Sequence, residues 1–194
     1  MPFGAEIRPG GGVRFRLWAP DVDAVSLLLE SPGEPRTLAM EPLPDGWFER
    51  IVPDAGPGAR YRFDVDGGPP VPDPASRWQP DGVHGASAVV DPGVYAWRDA
   101  DWRGRPWEET VLYELHVGAA TGGGGALDVI PLLDPLARLG VTAIELMPPA
   151  QAPGTRGWGY DGVYPFAPNR ALGPPEALKR LVDEAHARGL MVFV

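Results

Sequence analysis

Twelve consecutive residues carry the densest set of groups able to recognise a small molecule: Gly157-Trp158-Gly159-Tyr160-Asp161-Gly162-Val163-Tyr164-Pro165-Phe166-Ala167-Pro168. Trp158, Tyr160, Tyr164 and Phe166 supply aromatic faces, and Asp161 supplies a carboxylate. The glycines let the backbone turn tightly or take positive φ. The prolines fix φ and keep the segment out of a helix interior. An aromatic-rich stretch that cannot be a regular element is a candidate substrate-facing loop. The same aromatics could equally plug one end of a core, because buried aromatics dominate cores. The residues alone leave both readings open.

Other chemistry-bearing residues are scattered. Glu114 and Glu145 lie in apolar, strand-like runs, where a glutamate is expected to be a buried hydrogen-bonding group. His84 sits in the loop Gly82-Val83-His84-Gly85 and is assigned no chemistry. His186 is expected on a helix surface. The chain has no cysteine, which excludes disulfides, thiolate nucleophiles and thiolate metal sites. No metal site and no cofactor are expected. The net charge of −9 comes without a basic stripe, so nucleic acid and anionic membranes are poor partners. A neutral substrate suits that balance. No run reaches the ~18 apolar residues of a membrane span, and the N-terminus lacks the pattern of a secretory leader. A soluble, cytoplasmic protein is expected.

The elements that must position these residues fall into two registers. With 26 glycines and 25 prolines, about a quarter of its 194 residues, the chain invites a low-complexity reading that its aromatics and periodic segments contradict. Val13-Arg14-Phe15-Arg16-Leu17-Trp18 alternates apolar and charged, as a half-buried strand does. Val25 to Leu29, Thr37 to Met40, Trp47 to Val52 and Tyr61 to Val65 continue the series, with Pro44-Asp45-Gly46 as a turn. This predicts an antiparallel, immunoglobulin-like β-sandwich over residues 1–90. No pair of exposed aromatics at sugar spacing is evident there. The stretch 69–110 is rich in Pro, Asp and Trp. Its part 91–110 is read as a connector in which Trp97, Trp102 and Trp107 are packed, most simply between two domains.

After residue 110 the pattern changes. Val111 to Val117 reads as a short buried strand. Leu127 to Leu139 is apolar at helical spacing, with Leu132, Leu133, Leu136 and Leu139 on one face, Gly140 as its stop, and Pro131 and Pro135 bending or delaying it. Val141 to Met147 is a second strand. Pro174 and Pro175 open a second helix whose stripe is Leu178, Leu181, Val182 and Ala185. Leu190 to Val194 is a third strand. Residues 111–194 therefore read β-α-β-loop-α-β, a parallel sheet. Three parallel strands with two helices are about a third of a (β/α)₈ barrel of ~250 residues. The expectation is a truncated TIM barrel, and the chain a fragment that stops within its third strand. His116, ending the first strand, is either structural or a lining group of the barrel mouth.

Several stretches resemble one family. They are Phe15-Arg16-Leu17-Trp18-Ala19-Pro20; Pro72 to Arg77 with Gln79-Pro80 and Gly82 to Gly85; Tyr113-Glu114-Leu115-His116-Val117-Gly118; Leu139 to Pro148; Gly157 to Pro168; and Leu178 to His186. Together they resemble the α-amylase superfamily (glycoside hydrolase family 13), and more narrowly its malto-oligosyltrehalose trehalohydrolases. Ala119-Ala120-Thr121 and Leu172 depart from that family's usual residues.

The resemblance implies an N-terminal sandwich of the isoamylase and branching-enzyme type, then a catalytic barrel. It implies an α-glucan substrate, most narrowly maltooligosyl-trehalose from which trehalose is released. It places the three catalytic carboxylates beyond residue 194, so no catalytic residue is expected within 1–194 and the fragment should be inactive. It makes Tyr160 a platform under a sugar ring, with Trp158, Asp161 and Tyr164 shaping the same wall. A glycan-binding module without catalysis, and a branching or debranching enzyme, are the alternatives.

Overall fold

The computed structural model describes residues 3–194. The chain divides into two units. One comprises residues 1–92 with 163–167, and the other residues 93–162 with 168–194.

The first unit is built from β1 (Gly4–Ile7), β2 (Val13–Trp18), β3 (Val25–Ser31), β4 (Arg36–Ala39), β5 (Glu41–Leu43), β6 (Trp47–Val52), β7 (Arg60–Val65) and β8 (Ser87–Ala88). They form two four-stranded antiparallel sheets, ordered β1-β2-β6-β5 and β4-β3-β7-β8. The period-2 pattern of the strands sets which side chains face inward. Val13, Phe15 and Leu17 of β2 are buried, as are Val25, Leu27 and Leu29 of β3 and Tyr61 and Phe63 of β7. The Tyr61 ring meets Phe15 edge-on at 4.8 Å between centroids and Phe63 at 5.7 Å. The alternate residues face out: Arg14 pairs with Glu6, and the Arg16 guanidinium lies 4.6 Å from the centre of the Trp47 ring.

The Pro-rich segment after β7 closes this core. Asp73 is 1% exposed and accepts from the Tyr61 hydroxyl at 2.6 Å and from the Ala75 N–H at 2.7 Å. Ser76 Oγ donates to Gln79 Oε1 at 3.0 Å, and Arg77 donates to the carbonyls of Ala5 and Phe3.

The second unit begins with a strap. Tyr95 and Arg98 bond Asp183, Asp99 bonds His186 at 2.7 Å, and Trp102 stacks on the His186 ring at 4.6 Å. Then come β9 (Leu112–Leu115), a one-turn α1 (Val117–Ala120), α2 (Ile130–Leu139), β10 (Ala143–Leu146), β11 (Ala150–Gln151), β12 (Tyr164–Pro168), α3 (Pro175–His186) and β13 (Met191–Phe193). The residues of β12 through Ala167 belong to the first unit. Three strands pair in parallel in the order β13-β10-β9, with Ile144 opposite both Tyr113 and Val192. Leu133, Ile144, Leu146, Leu181, Ala185 and Leu190 form the core that the two longer helices cover.

The prolines act as expected. A 3₁₀ turn over Ala126–Val129 precedes α2, so the helix starts late, with Pro131 in its first turn. Gly140 ends it at φ +97, and Val141 N–H reaches back to the Leu136 carbonyl.

Burial departs from the sequence pattern in several places. β9 is an edge strand with a neighbour on one side, and Val111, Leu112 and Tyr113 stay exposed while Leu115 is buried. Glu114 on the same strand is exposed rather than buried. On α2 only Leu133 is fully buried, and Leu139, at 77% exposure, lies outside the stripe because it sits at the last turn. On α3 the buried set includes Asp183, whose charge is compensated by the strap. Trp97 and Trp107 are exposed rather than buried, each meeting one ring edge-on (Tyr95 and Phe193), whereas Trp102 stacks on His186. His186 is thus no simple surface residue: its side chain is only 15% exposed.

Candidate functional site

A cavity of about 560 Å³ opens at the C-terminal ends of two parallel strands. His116, Val117 and Gly118 follow β9 and line it; Met147 and Pro148 follow β10 and line it as well. The loop 152–161 contributes Ala152, Arg156, Gly157, Trp158 and Asp161, and Asn169 and Leu172 complete the wall. In α/β sheets the carboxyl ends of parallel strands are where ligands bind, because the loops there are free of the sheet's packing.

The loop reaches the cavity through its glycines. Gly159 has φ +93, and a Cβ there would lie 2.1 Å from the Pro148 carbonyl oxygen. The backbone therefore lies directly on the chain leaving β10, which throws its neighbours outward. Trp158 is 74% exposed and Tyr160 71%. Two large aromatic faces left open to water on one turn are unusual unless something covers them in use. Asp161 is exposed, and a Cβ on Gly157 would lie 3.5 Å from its nearer carboxylate oxygen, in ordinary contact.

His116 ties this loop to β9. Its Nε2 is 2.7 Å from the Gly157 carbonyl oxygen, and its Nδ1 accepts from the Ala119 N–H at 3.0 Å. Downstream, Gln151 is fully buried and its Oε1 accepts from the Arg170 N–H at 2.8 Å, while Asn169 N–H donates to the Pro149 carbonyl at 2.6 Å. These bonds pin both ends of the loop and leave its middle free to carry side chains. Neither His116 as a loop anchor nor Gln151 could be found from spacing, since each acts on a backbone group tens of residues or a turn away.

The four residues singled out from the sequence part company here. Trp158 and Asp161 line the cavity. Tyr160 is exposed on the same turn but is not among the lining residues. Tyr164 has no free face. It is 6% exposed, and its hydroxyl donates to the Val83 carbonyl at 2.8 Å within the first unit. Burial pushes that hydroxyl above the usual tyrosine range. Its place on the wall is therefore corrected to a packing role: β12 turns its ring inward.

Among the lining residues Asp161 is the one carboxylate and Arg156 the one arginine. Two-carboxylate hydrolysis of a glycoside cannot be assembled from one. Among the described residues no group of three or more His, Cys, Asp or Glu could hold a metal ion.

An opposed pair of tryptophans, one exposed and one half-buried, lies on the sandwich. Trp18 of β2 and Trp47 of β6 are directly opposed in the strand register. Trp18 is 58% exposed, with its indole N–H donated to the Asp45 carbonyl at 3.0 Å. The pair went unseen in the sequence because its members are 29 positions apart and only strand pairing brings them together.

Residues 2–79 match the family described as carbohydrate-binding module 48 (isoamylase N-terminal domain). A malto-oligosyltrehalose trehalohydrolase of Deinococcus radiodurans is 46% identical over 192 residues, covering 98% of this chain and 31% of the relative. A 1,4-alpha-glucan branching enzyme of Ralstonia nicotianae is 35% identical, covering 94% of this chain and 27% of the relative. Among solved structures, a protein of Salmonella typhimurium designated a candidate alpha amylase superposes with a TM-score of 0.92 at 47% identity, covering 98% of this chain and 32% of that one. The chain thus spans about a third of the length of the relatives it matches.

Proposed function

We propose, from the premise that this chain is a relative of the malto-oligosyltrehalose trehalohydrolases, that its cavity is one wall of an α-glucan site. The whole protein would release trehalose from maltooligosyl-trehalose by hydrolysing the neighbouring α-1,4 bond. The observation that carries the reading is the pair of open aromatic rings, Trp158 and Tyr160, on a turn at the carboxyl ends of parallel strands. A sugar ring presents C–H groups on its faces and hydroxyls at its edge. An aromatic face matches the former, and Asp161, Arg156 and Asn169 can bond the latter. Tyr160 would be the platform, with Trp158 and Asp161 flanking it.

On this reading β9, β10 and β13 with α2 and α3 are the first part of a (β/α)₈ barrel. The reaction needs a nucleophile and an acid/base carboxyl about 5–5.5 Å apart. The single carboxylate lining the cavity supports placing both outside these 194 residues. Residues 1–194 then bind or orient substrate and do not cleave it.

The test is product analysis of the whole protein on maltooligosyl-trehalose. Trehalose and a shortened maltooligosaccharide are expected, with residues 1–194 alone inactive. Release of maltose or glucose without trehalose would refute the assignment. Formation of α-1,6 branch points from linear α-glucan would favour the branching reaction, which the Ralstonia nicotianae relative's name supports.

A second reading rests on Trp18, exposed on the sandwich opposite the half-buried Trp47, which could seat a glucan there without catalysis. Titration with maltoheptaose would separate the two. Affinity lost in Trp18→Ala and kept in Trp158→Ala supports the sandwich site, and the reverse supports the cavity.

A further inference from the structure

The His116 ring uses both its nitrogens on backbone. Nδ1 accepts from the Ala119 N–H at 3.0 Å, so Nδ1 carries no proton. The neutral ring then holds its proton on Nε2, which lies 2.7 Å from the Gly157 carbonyl oxygen and donates to it. One bond caps α1; the other reaches across 41 positions of sequence to the aromatic turn. His116, Gly157 and Trp158 all line the same cavity.

We infer that His116 is a positioning residue, a clasp that holds the turn Gly157–Asp161 at the cavity rim through its Nε2–H. A proton added at Nδ1 would face the Ala119 N–H, donor against donor. That costs the Ala119 cap, while the Nε2–H still faces the Gly157 carbonyl. The charged groups that line the same cavity as the clasp are Arg156 and Asp161, and Asp128 accepts from the Gly125 N–H at 2.8 Å. Residues 117–120 of α1 carry none.

The inference concerns the free protein and goes beyond the proposed activity, so each can fail without the other. Two substitutions divide the ring's duties. His116→Asn keeps an acceptor near the Nδ1 position and remains a good cap, but lacks a donor that reaches Gly157. His116→Gln keeps a donor near the Nε2 position and weakens the cap. Backbone ¹⁵N order parameters of residues 158–161 in the intact protein give the readout. Values near about 0.85 are expected for the wild type and His116→Gln at pH 8, and below about 0.6 for His116→Asn. Ring ¹⁵N shifts provide a check that needs no variant: a protonated Nε2 and bare Nδ1 are expected at pH 8. The opposite tautomer would overturn the inference, as would a His116→Asn turn as rigid as the wild type.

Discussion

Tyr61 and Asp73 form a buried polar pair inside the sandwich. Both are 1% exposed, and the hydroxyl donates to the carboxylate at 2.6 Å. Burial, then the facing carboxylate, pushes the Tyr61 hydroxyl well above the usual range. Burial pushes the Asp73 carboxyl up as well, against the Tyr61 hydroxyl and the Ala75 N–H, which favour its charged form. Tyr61→Phe leaves a buried carboxylate oxygen without its donor, at a cost of about 1–3 kcal/mol. Urea midpoints at pH 7 should fall accordingly; an unchanged midpoint would show that the bond contributes nothing. The sign with pH follows from the raised Asp73 value. Its contribution to stability is full below the ordinary carboxylate range and is lost as pH rises through the folded-state value. The gap between Tyr61→Phe and the wild type should therefore narrow on acidification, where a protonated Asp73 carries its own hydrogen.

At the scale of elements, the strap over 95–102 and the aromatic loop are the informative pieces. Asp183 is 1% exposed on α3. Burial alone would push its carboxyl up, but the Arg98 side chain and N–H and the Tyr95 hydroxyl outweigh that and hold it below the usual range. The Glu184 carboxyl is lowered too, first by Arg98 and then by Arg188. Groups with depressed values contribute stability above the ordinary carboxylate range and lose it as pH falls through the folded value. Arg98→Ala should lower the unfolding temperature at pH 7, and its difference from the wild type should shrink below about pH 4. An equal difference at both pH values would count against the strap.

The loop tests its own geometry. Gly159→Ala meets the Pro148 carbonyl and a φ of +93, so the turn must move and maltooligosaccharide affinity should be lost. Gly154→Ala, at φ +75 with open space around its Cβ, should cost only the left-handed backbone strain of about 1–2 kcal/mol and bind as the wild type does. Wild-type affinity in Gly159→Ala would remove the turn from the site.

For the molecule as a whole, charge and partition matter more than any contact. The chain has two units, each with its own apolar core. Its net charge is −9 and its isoelectric point about 4.8. Phosphate-backbone binding draws on released counterions and so on clustered cations. No association with duplex DNA or with anionic vesicles is expected even at about 50 mM salt; saturable binding to either would contradict the charge argument. Among the described residues no helix is long and apolar enough to cross a membrane.

What the sequence determined by itself was what depends on near neighbours. Alternation in Val13–Trp18 and Tyr61–Val65 specified half-buried strands, and Pro131 and Gly140 specified where α2 starts and stops, because side-chain period, fixed φ and positive φ are local properties. The same logic marked Gly157–Pro168 as a turn-rich aromatic segment. Tertiary structure alone decided which aromatic faces water and which polar group finds a partner. Tyr160 and Tyr164 stand four positions apart in that one segment, yet one ring is open and the other packs beneath Val83. Trp18 meets Trp47 only through the pairing of β2 with β6. Asp183 is tolerable inside because Arg98 arrives from 85 positions away. His116 becomes a clasp for the same reason, since the carbonyl it holds is brought to it by the fold. Desolvated polar groups are satisfied by whatever the fold delivers, and that depends on long-range chain geometry that no local period encodes.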